Sequence, residues 1–463
     1  MKKAVRGVAL LSSLCLIACM DLNVPNYNDV SAEDLAANPT RSSLAAATQG
    51  LLAGQRGLTA ALSGWIGIWG RELYHLASEP RYTTNPLILP LDGTWHPFWF
   101  GPYSQIRNIR AVLAAVDSLD GVTDPEKAGV KGLAYTLWAE ALFHVNLMHG
   151  ELGCPITTPD DTRELSPIVA EDAVYAEVLR LFDEGATQLQ VAGSSFLFTL
   201  PPDMSDFNTP AGFYQVNRAL KARTLKYLNR WNEVLSTPQQ SFLDVAAPLT
   251  FGVWHSYSTN PGDAANALGG AFNAEIYAHP RYRSDAQLQP DGSLDQRALD
   301  KTYPVTEFRL YGIRVTEQFG NWIGFSSLSD PRPWIRNEEL ILLRAEANHA
   351  LENDDAALAD VNLIRTASGR LAPIGAAEWN SWTDDERLTE ILYNKFMSLV
   401  LEGGFTYLDH RQYRWTDRLP RAKDADTGED LGHVVFPRFP YPQQECVSRG
   451  IAETEACQPV HGN

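Results

Sequence analysis

Residues Val130, Leu133, Ala134, Leu137, Trp138, Ala141, Val145 and Met148 recur at the i, i+3, i+4, i+7 spacing of a helix that buries one face. Thr123, Asp124, Pro125 and Glu126 precede them as an N-cap, a first-turn proline and acidic residues at the positive helix end. Gly150 follows as a stop. A second helix carries Val174, Val178, Leu181, Phe182 and Leu189 on one face, and a third runs from about Phe213 to Leu235, with Val216, Leu220 and Leu225 inward, ending around Trp231.

The clearest helix pair comes later. Asn337 is placed to cap Glu338 and Glu339, and Leu340, Leu343, Ala347 and Leu351 form its stripe. The polar turn Glu352–Asp355 leads into Leu358, Val361 and Ile364, and Gly369 stops that helix. Small residues at Ala345, Ala350 and Ala357 suit a close helix–helix contact of the tetratricopeptide type. Thr383–Glu386 then reads as a capping box before Leu388, Ile391, Leu392, Phe396 and Leu399, with Gly403 and Gly404 as terminators. The spacing therefore predicts a mostly α fold. Its helical scaffold lies mainly in 103–235 and 337–402, and the loop-rich part in about 244–336. The stretch from Gly64 to Pro102 also reads as loop, and Thr306–Glu317 as a short hairpin. Long loops inside a compact fold are usually functional.

The N-terminus constrains the compartment. Lys2, Lys3 and Arg6 precede a short apolar run from Val8 to Ala18, too short for the roughly 20 residues of a membrane span. It reads as an export signal, residues 1–18, and Leu16-Ile17-Ala18-Cys19 resembles a bacterial lipobox. On that reading Cys19 is lipidated, residues 19–40 form a tether and 41–463 form a single folded unit. Losing the three cations of the signal takes the formal net charge from −18 to −21. An excess of 56 acidic over 38 basic side chains argues against nucleic acid, whose binding rests on Lys and Arg neutralising phosphates. Cys446 and Cys457 are spaced to close a short disulfide loop, with two unpaired thiols as the alternative.

Chemical motifs are sparse. No HExxH, GxSxG or Walker loop occurs, and Gly64-x2-Gly67-x2-Gly70 lacks the preceding strand of a dinucleotide site. Asp384 and Asp385 read as helix-start charges rather than as paired acids for glycoside cleavage. His144 and His149, at i and i+5, do not share a face, and the Asp424–Asp430 run reads as a solvated turn rather than a calcium loop. No cofactor, no metal site and no catalysis are expected.

At nearly full mature length the chain resembles the SusD/RagB family of nutrient-binding outer-membrane lipoproteins. The resemblance rests on the Cys19 lipobox, Trp99-x3-Tyr103-x2-Ile106, the runs Trp138–Gly153 and Lys221–Trp231, and the pair Glu339–Arg365 with its Leu343-Arg344-Ala345-Glu346-Ala347 core. Glu402-Gly403 and the C-terminal Phe439-Pro440-Tyr441-Pro442-Gln443-Gln444-Glu445 complete it. Arg110, Phe405, Leu408-Asp409 and Tyr441 depart from the usual residues of the family, which marks a divergent branch.

The resemblance implies tetratricopeptide-like helix pairs on one side and irregular aromatic-rich loops on the other. It also implies a lipid-anchored protein on the cell exterior that captures glycans and passes them to a TonB-dependent, SusC-like β-barrel transporter. Oligopeptide capture in a RagA/RagB-like system is the alternative. Sugar rings stack on aromatic faces, so the candidate ligand contacts are Trp95, Trp99, Trp254, Tyr257, Tyr277, Trp322 and Trp334. Any of these also suits a core. Trp99 fits the family's packing tryptophan better than a ligand contact, whereas the position of Trp95 resembles the segment that supplies a stacking tryptophan in glycan-binding relatives.

Overall fold

A computed structural model describes residues 35, 39–78, 98–161, 163–261, 263–269, 274–320 and 326–458. The export signal, Cys19, Trp95 and Trp322 lie outside the described residues.

Helix α1 (Arg41–Ala61) opens on a capping box between Thr40 and Ser43. It runs on through a π turn at Leu62–Ile66 into Gly67–Trp69, so residues 64–69, expected as loop, are helical. The reason is apolar: Leu62, Ile66, Ile68 and Trp69 are all buried in the core. After β1 (Leu73–His75) come α2 (Phe100–Ser118) and α3 (Asp124–His149). The Thr123 amide donates to Glu126 Oε2 at 3.0 Å to start α3, and Gly150 ends it at a φ of 56°. Helix α3 is buried almost all round, as an apolar helix must be when neighbours surround it. It packs on α4 (Glu171–Val191) where two glycines meet. A Cβ on Gly132 would stand 2.6 Å from Leu189 Cγ, and one on Gly185 would stand 2.9 Å from Thr136 Oγ1.

The third helix is two. Helix α5 (Pro210–Tyr227) ends before Asn229, whose φ of 54° is left-handed, and Trp231 opens α6 (Trp231–Ser236) instead of closing the previous helix. Trp138 and Trp231 sit half-buried at the edge of the core, the indole of Trp138 donating to the Ile156 carbonyl at 3.3 Å.

The loop-rich part holds β2 (Gly252–His255), β3 (Ile276–Ala278), α7 (Arg281–Ser284), α8 (Gln296–Lys301), β4 (Thr302–Leu310), β5 (Ile313–Phe319) and β6 (Arg332–Arg336). Strands β4 and β5 form the expected hairpin, turning through Tyr311 and Gly312, both at positive φ as the tight hairpin turn requires. One antiparallel sheet has the order β1-β3-β5-β4, and β2 pairs with β6 in another.

Strand β6 runs into α9 (Asn337–Ala350), followed by α10 (Asp354–Ala367), α11 (Ala376–Ser381), α12 (Asp384–Leu399), α13 (Phe405–Gln412) and α14 (Gln443–Arg449). Ala345 and Ala357 meet in the α9–α10 contact, both fully buried, while Ala350 is exposed. Asn337 is the first helical residue rather than the cap. Its side chain accepts from the Asp244 amide at 3.1 Å, tying α9 to the preceding loop. Thr383 and Glu386 form the expected capping box. Cys446 and Cys457 form a disulfide, and Phe439 stacks on Trp69 at 4.1 Å between ring centroids. Among the described residues no helix is long and apolar enough to cross a membrane.

Charges are buried between the helices. Lys395 Nζ lies 2.8 Å from Glu346 and 2.7 Å from Asp409, and Lys226 Nζ reaches the same two carboxylates. All four side chains are at most 3 % exposed. Burial lowers the Lys226 pKa in spite of its two carboxylates, whereas Asp409 lies below its usual range because Lys226 and Lys395 outweigh its own burial. Removing one partner of such a group strands the others, so Asp409→Asn is expected to cost about 3–5 kcal/mol in urea unfolding at pH 7. Because the folded-state value is depressed, the Asp409 contribution is present above the ordinary carboxylate value of 3.8 and disappears as pH falls below it. The cost of Asp409→Asn should therefore shrink in acid; a pH-independent cost would contradict this assignment.

Candidate functional site

A largely apolar cavity of about 360 Å³ lies between α1 with its π turn, β1, β3 and the chain from Tyr257 to Leu268. Its helical wall is made of Gly57, Ala60 and Gly64, spaced to share one face, beside Trp65 and Ile68. Small residues there leave room. A Cβ on Gly57 would meet nothing within 4 Å, whereas one on Gly54 would collide with the side chain of Gln105. Gly54 is thus a packing glycine, and Gly57 faces open space. The π turn follows directly and brings Trp65 to the cavity; such turns recur at functional sites because they break helical register.

One cation is fixed in the wall. Arg56 donates to the Ser256 carbonyl at 2.6 Å and to Asp263 Oδ1 at 2.5 Å, and its guanidinium carbon lies 5.6 Å from the centre of the Tyr257 ring. Although burial alone would raise it, the Asp263 pKa is lowered by the hydrogen bond from Arg56, so the carboxylate stays charged and holds the arginine in place. Tyr257 is only 8 % exposed, and its hydroxyl has no hydrogen-bond partner among the described residues. His75 closes the opposite side, 3.2 Å from Glu275 Oε2; burial lowers its pKa more than Glu275 raises it, leaving a neutral imidazole. The site therefore offers aromatic and apolar faces with a few directional polar groups, the composition of a small-molecule binding pocket.

Behind the wall the polar groups run inward. His255 lies 3.1 Å from the Thr59 hydroxyl and stacks on Trp334, whose indole donates to Glu140 at 3.2 Å. Burial pushes His255 down to about 3 and Glu140 up to about 7. His144 sits beside Glu140 and is likewise pushed by burial to about 3. These groups form the cavity's support rather than its surface.

The candidate aromatics separate. Tyr257 lines the cavity. Tyr277 lies on the opposite face of the same sheet, because Leu73, His75 and Ile276 point to the cavity while Tyr74 and Tyr277 alternate away. There it stacks on Phe308 at 5.3 Å with ring planes 2° apart. The register places Tyr277, Gln318 and Tyr303 in one row, and the Tyr303 hydroxyl donates to Gln318 at 3.0 Å. Phe308 and Tyr303 are 37 % and 39 % exposed, so this row is an open aromatic surface. Trp254 is half-buried on β2, donating to the Thr250 carbonyl at 3.2 Å.

Trp334 is a correction, and so is the candidacy of Trp99 as a ligand contact, although its position already favoured packing. Trp99 is 3 % exposed among Tyr103, His149 and Tyr441, and Trp334 is 2 % exposed against His255. Both are packing residues here. Sequence reasoning missed Arg56, Gly57, Ala60, Trp65 and His75. The sequence signal was Gly50, Gly54 and Gly57 inside one helix, each of which weakens it; only the packing shows that Gly54 is filled against Gln105 while Gly57 is open.

No protein-family model matches the sequence, and no curated protein matches it. Solved structures do. A SusD superfamily protein from Bacteroides vulgatus ATCC 8482 matches with a TM-score of 0.67 at 16 % identity, covering 89 % of this chain and 97 % of its own. A candidate sugar-binding protein from the same organism matches with a TM-score of 0.62 at 16 % identity, over 88 % and 96 %. A candidate outer-membrane protein assigned to nutrient binding, also from that organism, gives 0.58 at 12 % identity, over 88 % and 97 %. The chain has the mostly α, SusD-like fold.

Open space at Gly57 makes a stability prediction. Gly57→Ala should raise stability by about 0.5–1 kcal/mol in chemical denaturation, since it removes backbone freedom and adds no clash. Gly54→Ala should lower it, because Gln105 occupies that position.

Proposed function

We propose that this chain is a SusD/RagB-type lipoprotein that binds a glycan at the Arg56–Tyr257 cavity and delivers it, uncleaved, to a TonB-dependent, SusC-like barrel in the outer membrane. The observation that carries the reading is a preformed cavity, with a cation fixed over an aromatic ring, on a SusD-like fold. Pyranose rings present C–H faces to Trp65 and Tyr257, while Arg56 and neutral His75 supply directional partners for hydroxyls. The open Tyr277–Phe308–Tyr303 surface offers a second stacking face on the other side of the sheet. Two of the matching structures are of candidate sugar-binding and nutrient-binding proteins, and the Cys19 lipobox suits a surface anchor. Trp95 and Trp322 remain proposed stacking residues on sequence grounds.

Calorimetry or affinity electrophoresis against polysaccharide and peptide panels tests the reading. A glycan ligand is expected, and Tyr257→Ala or Gly57→Trp should weaken its binding about tenfold or more. Glycan binding untouched by these substitutions and by Trp95→Ala with Trp322→Ala would remove the site. Binding of peptides alone would replace the glycan with an oligopeptide, and release of reducing sugar with turnover would make the protein an enzyme. In cells, Cys19→Ala should abolish palmitate labelling and membrane retention; persistence of both would remove the anchor.

A further inference from the structure

A second cavity of about 370 Å³ shares no residue with the first. It lies between the α7 region, α12 and the turn after α13, and two arginines line it. The Arg281 guanidinium carbon lies 4.6 Å from the centre of the Phe396 ring, and that of Arg418 lies 3.6 Å from the centre of the Trp415 ring. A guanidinium stacked on a ring keeps its plane fixed and its N–H edge available, which suits a forked hydrogen bond.

Both arginines are under-used. Arg281 donates through Nε to Asp285 at 3.1 Å, while its Nη1 is buried and has no partner among the described residues. Arg418 donates through Nη2 to Asp385 at 2.8 Å. Each guanidinium has five N–H donors, so most remain open. A buried cationic donor without an acceptor is costly, and an incoming acceptor would recover that cost. His410 lines the same cavity; its Nδ1–H donates to the Thr406 carbonyl at 2.7 Å and leaves Nε2 as an acceptor for a hydroxyl. Burial and then Arg281 push this imidazole down to about 4, so it stays neutral. The lining also holds Asp285 and Glu390, the latter engaged by Arg365. Two carboxylates beside two guanidiniums favour a single negative charge over a dianion such as phosphate.

We infer that this second cavity binds the carboxylate of a small organic acid, forked between Arg281 and Arg418. A uronic acid and the C-terminal carboxylate of a peptide present the same group. The inference does not depend on the glycan reading of the first cavity.

Calorimetric titration of the purified protein at low salt tests it, with glucuronate, its neutral methyl ester, N-acetylphenylalanine and inorganic phosphate as probes. At least one of the acids should bind in the millimolar range or tighter, and the tighter of the two identifies the source. The methyl ester should bind about tenfold more weakly than glucuronate, the loss of one charge-assisted fork. Arg418 is partly exposed, so Arg418→Gln should leave the fold intact and weaken binding about tenfold, with Arg418→Lys failing to restore the fork. Gly57→Trp, in the other cavity, should leave the preference for the acid over its methyl ester and the effect of Arg418→Gln in place. The inference is overturned if neither acid binds, if the ester matches the acid, if phosphate is preferred, if Arg418→Gln has no effect, or if Gly57→Trp abolishes binding.

Discussion

Two lysines and two carboxylates from four separate helices meet in the interior of this protein, and each is intolerable there without the others. Lys226 of α5, Glu346 of α9, Lys395 of α12 and Asp409 of α13 form a closed set of contacts. Beside them Arg336 spans Glu338 and Glu402, and Arg223 grips Glu339 with two hydrogen bonds at 2.6 and 2.8 Å. Ion pairs of this kind add little net stability over apolar packing of the same volume, since desolvation offsets the attraction. What they do impose is register. A helix that slid by one turn would leave a charge unpaired in a medium that cannot solvate it.

That register reaches the cavity through the backbone. Arg336 ends β6, and β6 pairs with β2, so the ionic centre fixes where β2 runs. Strand β2 carries His255, and the next two residues place Ser256 and Tyr257 against Arg56 of α1. The loop-rich part is therefore not free to choose its own arrangement around the ligand site. The β1-β3-β5-β4 sheet adds a partition, with the cavity on one face and the Tyr277–Phe308 surface on the other.

Much of the scaffold was legible because helices announce themselves locally. The α3 stripe, its Thr123–Glu126 start and its Gly150 stop are all short-range signals, as is the Thr383–Glu386 box. The hairpin of β4 and β5 was visible for the same reason, being closed by Tyr311-Gly312. Errors fell where a long-range partner overrode the local pattern. Asn337 looked like a cap and instead holds the Asp244 loop, and the chain after Gly64 looked irregular but is helical because its apolar residues face the core.

The candidate site was less legible. Composition pointed to loop aromatics, yet Trp99 and Trp334 went to packing, and Tyr257 and Tyr277 fell on opposite faces of one sheet. A residue's type fixes what chemistry it can offer, and its neighbours in sequence fix its local backbone. Fold class, helix limits and the chemistry of the aromatic set follow from those two facts. Which aromatics share a surface, which glycine opens a cavity and which arginine keeps a donor unused depend on contacts between residues far apart in the chain. Arg56 with Asp263, and Lys226 with Asp409, are such contacts, and no local spacing encodes them.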